Sequence, residues 1–181
     1  TTKFDLSVGP PVWSRDGKTI YFNANILEAN EIFSADVTAG TVTQVSKTGA
    51  SINLAEISTD GYFVVGTLTL PNAPAEVYKS NLKFTQPVQL TSHNHWLSDY
   101  TLGDTEVVKW KSKDGMEIEG LLTRPAEYTE GSKVPLLLNP HGGPTGSSVN
   151  SFNGTVQVLA ANGFAVLQPN FRGSTGKGLA F

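Results

Sequence analysis

The sequence predicts two unlike halves: an all-β region built from a repeated four-stranded unit, then an α/β region. Three observations carry this. A pattern recurs in phase at a spacing of 44–45 residues within the first hundred. Beyond residue 130, short alternating strands give way to continuous apolar runs. Between two of those runs lies a stretch with helical spacing.

The repeat comes first because self-similarity at a fixed period determines the architecture. Pro11-Val12-Trp13-Ser14-Arg15-Asp16-Gly17 is echoed by Ala55-Glu56-Ile57-Ser58-Thr59-Asp60-Gly61, with the two Ser-x-Asp-Gly turns 44 residues apart. Glu31-Ile32-Phe33 matches Glu76-Val77-Tyr78, and Val42-Thr43-Gln44-Val45 matches Pro87-Val88-Gln89-Leu90, both at an offset of 45. In the first copy, strands are expected near Val12-Ser14, Thr19-Asn23, Glu31-Asp36 and Thr41-Ser46. Ile20 and Phe22 fall on one face of the second strand, Tyr21 and Asn23 on the other. Asp-Gly suits a tight turn, because glycine accepts positive φ at little cost; Ala39-Gly40 signals a second hairpin. Four antiparallel strands in this length make one blade of a β-propeller. A β-sandwich with two similar hairpins is the alternative, and agreement in phase along four strands argues against it. Propellers close with about four to eight blades, so two blades imply that others precede residue 1.

The pattern stops after Leu90-Thr91. The expected division is residues 1–92 as the last two propeller blades, 93–105 as a linker, and 106–181 as the start of a second domain. His93 and His95 lie in the linker without a third ligand nearby, so an exposed loop is expected there rather than a metal site. Val108 and Trp110, then Ile118, Gly120 and Leu122, alternate around a Lys-Asp-Gly turn, which predicts a hairpin. Val134 to Asn139 reads as a strand buried on both faces. Phe152, Val156, Leu159 and Ala160 predict a helix stopped by Asn162-Gly163, and Phe164 to Pro169 a second buried strand. Strand, helix and strand make a βαβ unit with a parallel sheet.

Composition narrows the function classes. Of 181 residues, 39% are hydrophobic and 16% charged, which is globular rather than disordered. The net charge of −3 offers no surplus to neutralise phosphates, so nucleic acid is not an expected partner. Without cysteine there is no disulfide framework and no thiolate zinc site, and the compartment, cytoplasmic or exported, stays open. No apolar run approaches the roughly 20 residues of a spanning helix. No cofactor is indicated.

Two loops carry the candidate chemistry. His141-Gly142-Gly143-Pro144 follows the first buried strand, where open α/β folds place their sites. Paired glycines let backbone N–H groups approach a developing negative oxygen, and α/β-hydrolases draw one such donor from a His-Gly-Gly-type loop at this place. A plain Gly-Pro turn is the alternative. The second loop, Asn170-Phe171-Arg172-Gly173-Ser174-Thr175-Gly176-Lys177-Gly178, is glycine-rich, but Gly178 stands where a phosphate-binding P-loop needs Ser or Thr after the lysine.

The succession of blades, linker, Lys-Asp-Gly hairpin, His-Gly-Gly-Pro and Asn-Phe-Arg-Gly-Ser-Thr-Gly-x-Gly resembles the prolyl oligopeptidase family of serine peptidases. Its acylaminoacyl-peptidase and dipeptidyl-peptidase-like branch is the most similar, and the resemblance covers nearly the whole chain. It implies a β-propeller joined to an α/β-hydrolase domain, and an acyl-enzyme route for hydrolysing short peptides. It implies an oxyanion loop of His141, Gly142, Gly143 and Pro144, with Gly143 and Gly142 as backbone donors. It also implies a second loop beside the site, with Asn170, Arg172, Gly173 and Ser174 in structural roles and Arg172 as an anchor. Ser174 has neither a Gly-x-Ser-x-Gly elbow nor an assignable base, so it is not expected to be a nucleophile. No Gly-x-Ser-x-Gly occurs in these residues. The triad is therefore expected beyond Phe181, and the chain alone is expected to be inactive. The alternatives are a propeller-type binding module and an esterase-like acyl hydrolase.

Overall fold

The computed structural model describes residues 4–143 and 145–181. Among the described residues the first half contains eight strands: β1 (Val12–Trp13), β2 (Thr19–Ile26), β3 (Ala29–Asp36), β4 (Val42–Gln44), β5 (Ser51–Ile57), β6 (Phe63–Leu70), β7 (Ala73–Asn81) and β8 (Val88–Gln89). β1 to β4 pair antiparallel in sequence order, and so do β5 to β8. A parallel pairing of Asn30 with Ser51 joins the two units. The expected repeat is thus two four-stranded units with the same internal order.

The repeated residues explain the repeated shape. In the β1–β2 turn, Ser14 Oγ donates to Asp16 Oδ1 (2.8 Å), Lys18 N donates to the same oxygen (3.1 Å), and Thr19 N donates to Ser14 Oγ (2.9 Å). Gly17 closes the turn at φ +67°, where a Cβ would be strained. Ser58, Asp60, Phe63 and Gly61 repeat this arrangement in the second unit. Alternation along β2 divides its apolar residues between two cores. Tyr21 packs with Ile32, Ile52, Ile57 and Val64 between the units, and Phe22 packs with Ala24 and Phe33 on the other face.

A buried carboxylate fastens the end of each unit. Glu31 is 1% exposed and accepts hydrogen bonds from Ser46 Oγ, Thr48 N (2.6 Å), Thr48 Oγ1 (3.0 Å) and Gly49 N (2.8 Å). Its counterpart Glu76 accepts from Thr91 Oγ1 and from Asn94 N and Nδ2, both at 2.9 Å. The Thr91 bond and those from Asn94 hold the Glu76 carboxyl below its ordinary pKa, against the cost of desolvation.

A 3₁₀ turn (His95–Asp99) leads into the second half, with His93 and His95 both exposed. Here β9 (Thr105–Lys111), β10 (Glu117–Thr123), β11 (Leu136–Leu138) and β12 (Ala165–Asn170) form a sheet in the order β11-β12-β10-β9. Only β11 and β12 are parallel, and they are joined through α1 (Gly154–Ala161). Asn153 caps α1 by accepting from Val156 N (3.2 Å), and Val156 and Ala160 are buried on the sheet side. Gln157 reaches back from α1 to both backbone groups of Gly103 (2.8 and 3.2 Å), tying the approach to β9 onto the helix.

Two expectations need correction. Phe152 precedes the helix cap, so its apolar side chain belongs to the entering loop and not to the helical face. Within these 181 residues Leu136 and Leu138 are 59% and 65% exposed, so β11 is not buried on both faces by this stretch of chain. It pairs with β12 along one side only, and both residues point away from the described layers. No helix among the described residues is long and apolar enough to cross a membrane.

Candidate functional site

The parallel pairing of β11 with β12 sends the two candidate loops out of the same end of the sheet. Asn139 N donates to Leu167 O (2.8 Å), extending this pairing to the start of the first loop. His141 then lies flat on Phe171 of the second loop, with ring centroids 4.5 Å apart and planes at 10°. Its Nε2 is 2.7 Å from Ser174 Oγ, and Ser174 Oγ donates to Phe171 O at 2.6 Å. Nδ1 faces Gly142 O at 3.0 Å. The first residue of the glycine loop is therefore held by stacking and by hydrogen bonding to the second loop.

This contact was missed from sequence, where Ser174 had no assignable base. A histidine does lie beside it. The pair is not a nucleophile and base, however. Ser174 is only 4% exposed, its proton is taken by a backbone carbonyl, and Nδ1 faces a carbonyl rather than a carboxylate. A serine placed three residues after an aromatic in a glycine-rich loop gave no sign of its partner 33 residues earlier.

Gly142 and Gly143 are exposed at the mouth of the loop, and Gly143 has φ +137°, a conformation that L side chains rarely adopt. Pro144 lies outside the described residues. Beyond it the loop turns back, and Thr175 N donates to Gly146 O at 2.9 Å. A cavity of about 360 Å³ opens beside this loop, lined by Asn139, His141, Ser147, Ser148, Phe152 and Asn153 among others. His141 is the one titratable side chain among its described lining residues.

Asn170, 2% exposed, joins the loops a second time. Its Oδ1 accepts from Ser148 N (2.6 Å) and its Nδ2 donates to Ser148 O (3.0 Å). Arg172 points the other way, to the β9–β10 turn, where Nη2 meets Asp114 Oδ2 at 2.6 Å. Asp114 belongs to a third Ser-x-Asp-Gly turn, Ser112 to Gly115. Its Ser112 hydroxyl and the Arg172 guanidinium together hold the carboxyl down at about 2. Gly173 N donates to Phe181 O (3.1 Å).

Glu119 and Lys177 were not singled out from sequence. Glu119 is 1% exposed on β10, opposite Asn170, and Lys177 Nζ lies 3.3 Å from its Oε2 without hydrogen-bond geometry. The available signal was a glutamate between Ile118 and Gly120 in an otherwise apolar stretch of the hairpin.

No family model matches the chain. Known proteins do. An uncharacterized peptidase YuxL of Bacillus subtilis (strain 168) is 29% identical over 171 residues, which cover 94% of this chain and 26% of that protein. The acylamino-acid-releasing enzyme of Sus scrofa is 26% identical over 179 residues, covering 92% and 24%. The structure of Pyrococcus horikoshii acylaminoacyl peptidase superposes with a TM-score of 0.82 at 22% identity, over 99% of this chain and 27% of that one. The chain thus spans about a quarter of the length of the curated relatives it matches. Along nearly all of its length the chain is therefore similar to peptidases of the prolyl oligopeptidase (S9) family.

Proposed function

We propose that this chain is the part of a serine peptidase in which the last two blades of a β-propeller meet the opening of an α/β-hydrolase domain, and that its first loop supplies an oxyanion-hole donor. The observation that carries this is the clamp of His141 by Phe171 and Ser174. It holds the loop that bears Gly142 and Gly143 at the carboxyl end of a parallel strand, beside a cavity. A donor of this kind needs little motion during reaction, and removing one such donor costs roughly 3–4 kcal/mol of transition-state stabilisation.

In the proposed reaction, a serine outside these 181 residues attacks the carbonyl of a short peptide. The carbonyl oxygen gains negative charge and is met by the backbone N–H of Gly143, with that of Gly142 as a second candidate. Collapse of this intermediate expels the amine and leaves an acyl-enzyme, which water then hydrolyses. The propeller limits the size of substrates that reach the site. The sequence holds no Gly-x-Ser-x-Gly, so the isolated chain is expected to be inactive.

The test compares the whole protein with the isolated chain on peptide p-nitroanilides and p-nitrophenyl esters, together with fluorophosphonate labelling. Peptide cleavage and labelling by the whole protein alone support the proposal. Ester cleavage with peptides untouched would identify an acyl hydrolase instead. No turnover and no labelling would point to a binding module. Labelling of the isolated chain at Ser174 would overturn its assignment as structural.

A further inference from the structure

The tip of the β2–β3 hairpin lies against both site loops, although it belongs to the first half of the molecule. Asn25 Nδ2 donates to Ser147 Oγ in the first loop (2.9 Å) and to Thr175 Oγ1 in the second (3.2 Å). Thr175 Oγ1 in turn donates to Ser147 Oγ (3.1 Å), so three side chains from three segments close one polar triangle. Next to it, Leu27 N donates to Gly176 O (2.9 Å) and Asn150 N donates to Glu28 O (2.6 Å).

At this contact one backbone feature is costly on its own, and a second leaves no room for a side chain. Leu27 sits at φ +53°, in a left-handed conformation that a leucine adopts only when its surroundings demand it. Gly176, at φ +97°, approaches so closely that a Cβ would stand 2.8 Å from Leu27 O. A hairpin that only connected two strands would place Asn or Gly at that turn position. The strain resides at the point of contact with the second loop.

We infer that the β2–β3 tip is a positioning latch for the proposed active site, with Asn25 as its positioning residue. The tip holds the far side of the glycine loop at Ser147 while His141 holds the near side. Both anchors meet on the second loop, at Thr175 and Ser174. Gly142 and Gly143 lie between the two anchors. Loss of either one frees the donors to move, and a small displacement at a reacting centre is enough to slow turnover. The first half then contributes to the rate of the chemical step as well as to the selection of substrates. This inference rests on the oxyanion reading given above.

The experiment uses the whole protein with Asn25→Ala and Asn25→Asp, after circular dichroism confirms folding. Asn25→Ala is expected to lower kcat on a peptide anilide about 10-fold, with KM changed by less than about twofold. Affinity for a peptide boronic acid, which places a negative oxygen in the hole, should fall in parallel, while affinity for a product peptide should not. Asn25→Asp should recover most of the rate, because both hydroxyls can turn to donate to the carboxylate. If Asn25→Ala does not fold, Ser147→Ala removes the same contact from the loop side and carries the same expectations. Unchanged kcat in a folded variant, or a change in KM alone, would overturn the latch. An inactive wild-type protein would overturn the peptidase reading itself, and the two failures are therefore distinguishable.

Discussion

Two buried glutamates show how differently the halves are built. Glu31 and Glu119 are each 1% exposed. Glu31 accepts four hydrogen bonds from residues 15 to 18 positions ahead of it, and its counterpart Glu76 has the same kind of arrangement. Glu119 accepts none among the described residues; the Lys177 ammonium lies 3.3 Å away, and Lys109 stands across from it on β9. Each of the two repeat carboxylates is thus satisfied by the stretch of chain that follows its own strand, within 18 residues. The second half joins distant segments instead. Its Asp114–Arg172 pair spans 58 residues, and Lys177 comes from the same loop as Arg172. The first pattern gives rigidity that can be repeated; the second makes the site loops depend on the whole sheet.

Breaking the first pattern should have the largest effect. Glu31→Ala removes the acceptor of the buried Ser46 hydroxyl and of the part-buried Thr48 and Gly49 N–H groups, and is expected to cost about 4 kcal/mol, read as a lower urea midpoint at unchanged slope. An unaltered midpoint would mean that water replaces the carboxylate and that the network is not a fastener.

Lys177→Met comes next, because it leaves a buried carboxylate without its counter-charge, at an expected cost of about 3 kcal/mol. The double variant Glu119→Met with Lys177→Met should regain most of that loss, since burying an ion pair repays little of its desolvation. Additive losses in the double variant would show that Glu119 is satisfied in some other way.

The smallest effect concerns the surface pair. Asp114 is held at about 2, below the ordinary carboxyl value of 3.8. A depressed carboxyl stabilises the fold fully above about pH 4; that contribution declines as pH falls and is gone below about 2. Arg172→Met should raise the Asp114 value only part of the way back, because the Ser112 hydroxyl is the larger cause. Carboxyl NMR titration of both proteins measures this directly. A full return to 3.8 would make Arg172 the main cause.

Much of the first half was legible because its determinants are local. Each Ser-x-Asp-Gly turn is closed by hydrogen bonds no more than five residues long, so the turn can be read wherever the four letters occur. The strand-helix-strand order of the second half was legible from periodicity. The edge position of β11 within these 181 residues was not, because an apolar run has the same letters at the edge of a sheet as at its centre.

The sequence by itself determined the period of the repeat, the three turns, the order of elements around α1, and which two glycine-rich loops follow adjacent strands. Tertiary structure alone decided what those loops touch. Asn25 meets Thr175 across 150 residues, and His141 meets Ser174 across 33. The physical reason is the range of the interactions. Turns and periodic faces come from hydrogen bonds and burial within a few residues, so they leave a pattern in the letters. A contact between distant loops depends on how two sheets are placed in space. An asparagine that bridges two hydroxyls across that distance looks, in sequence, like any other asparagine on a strand.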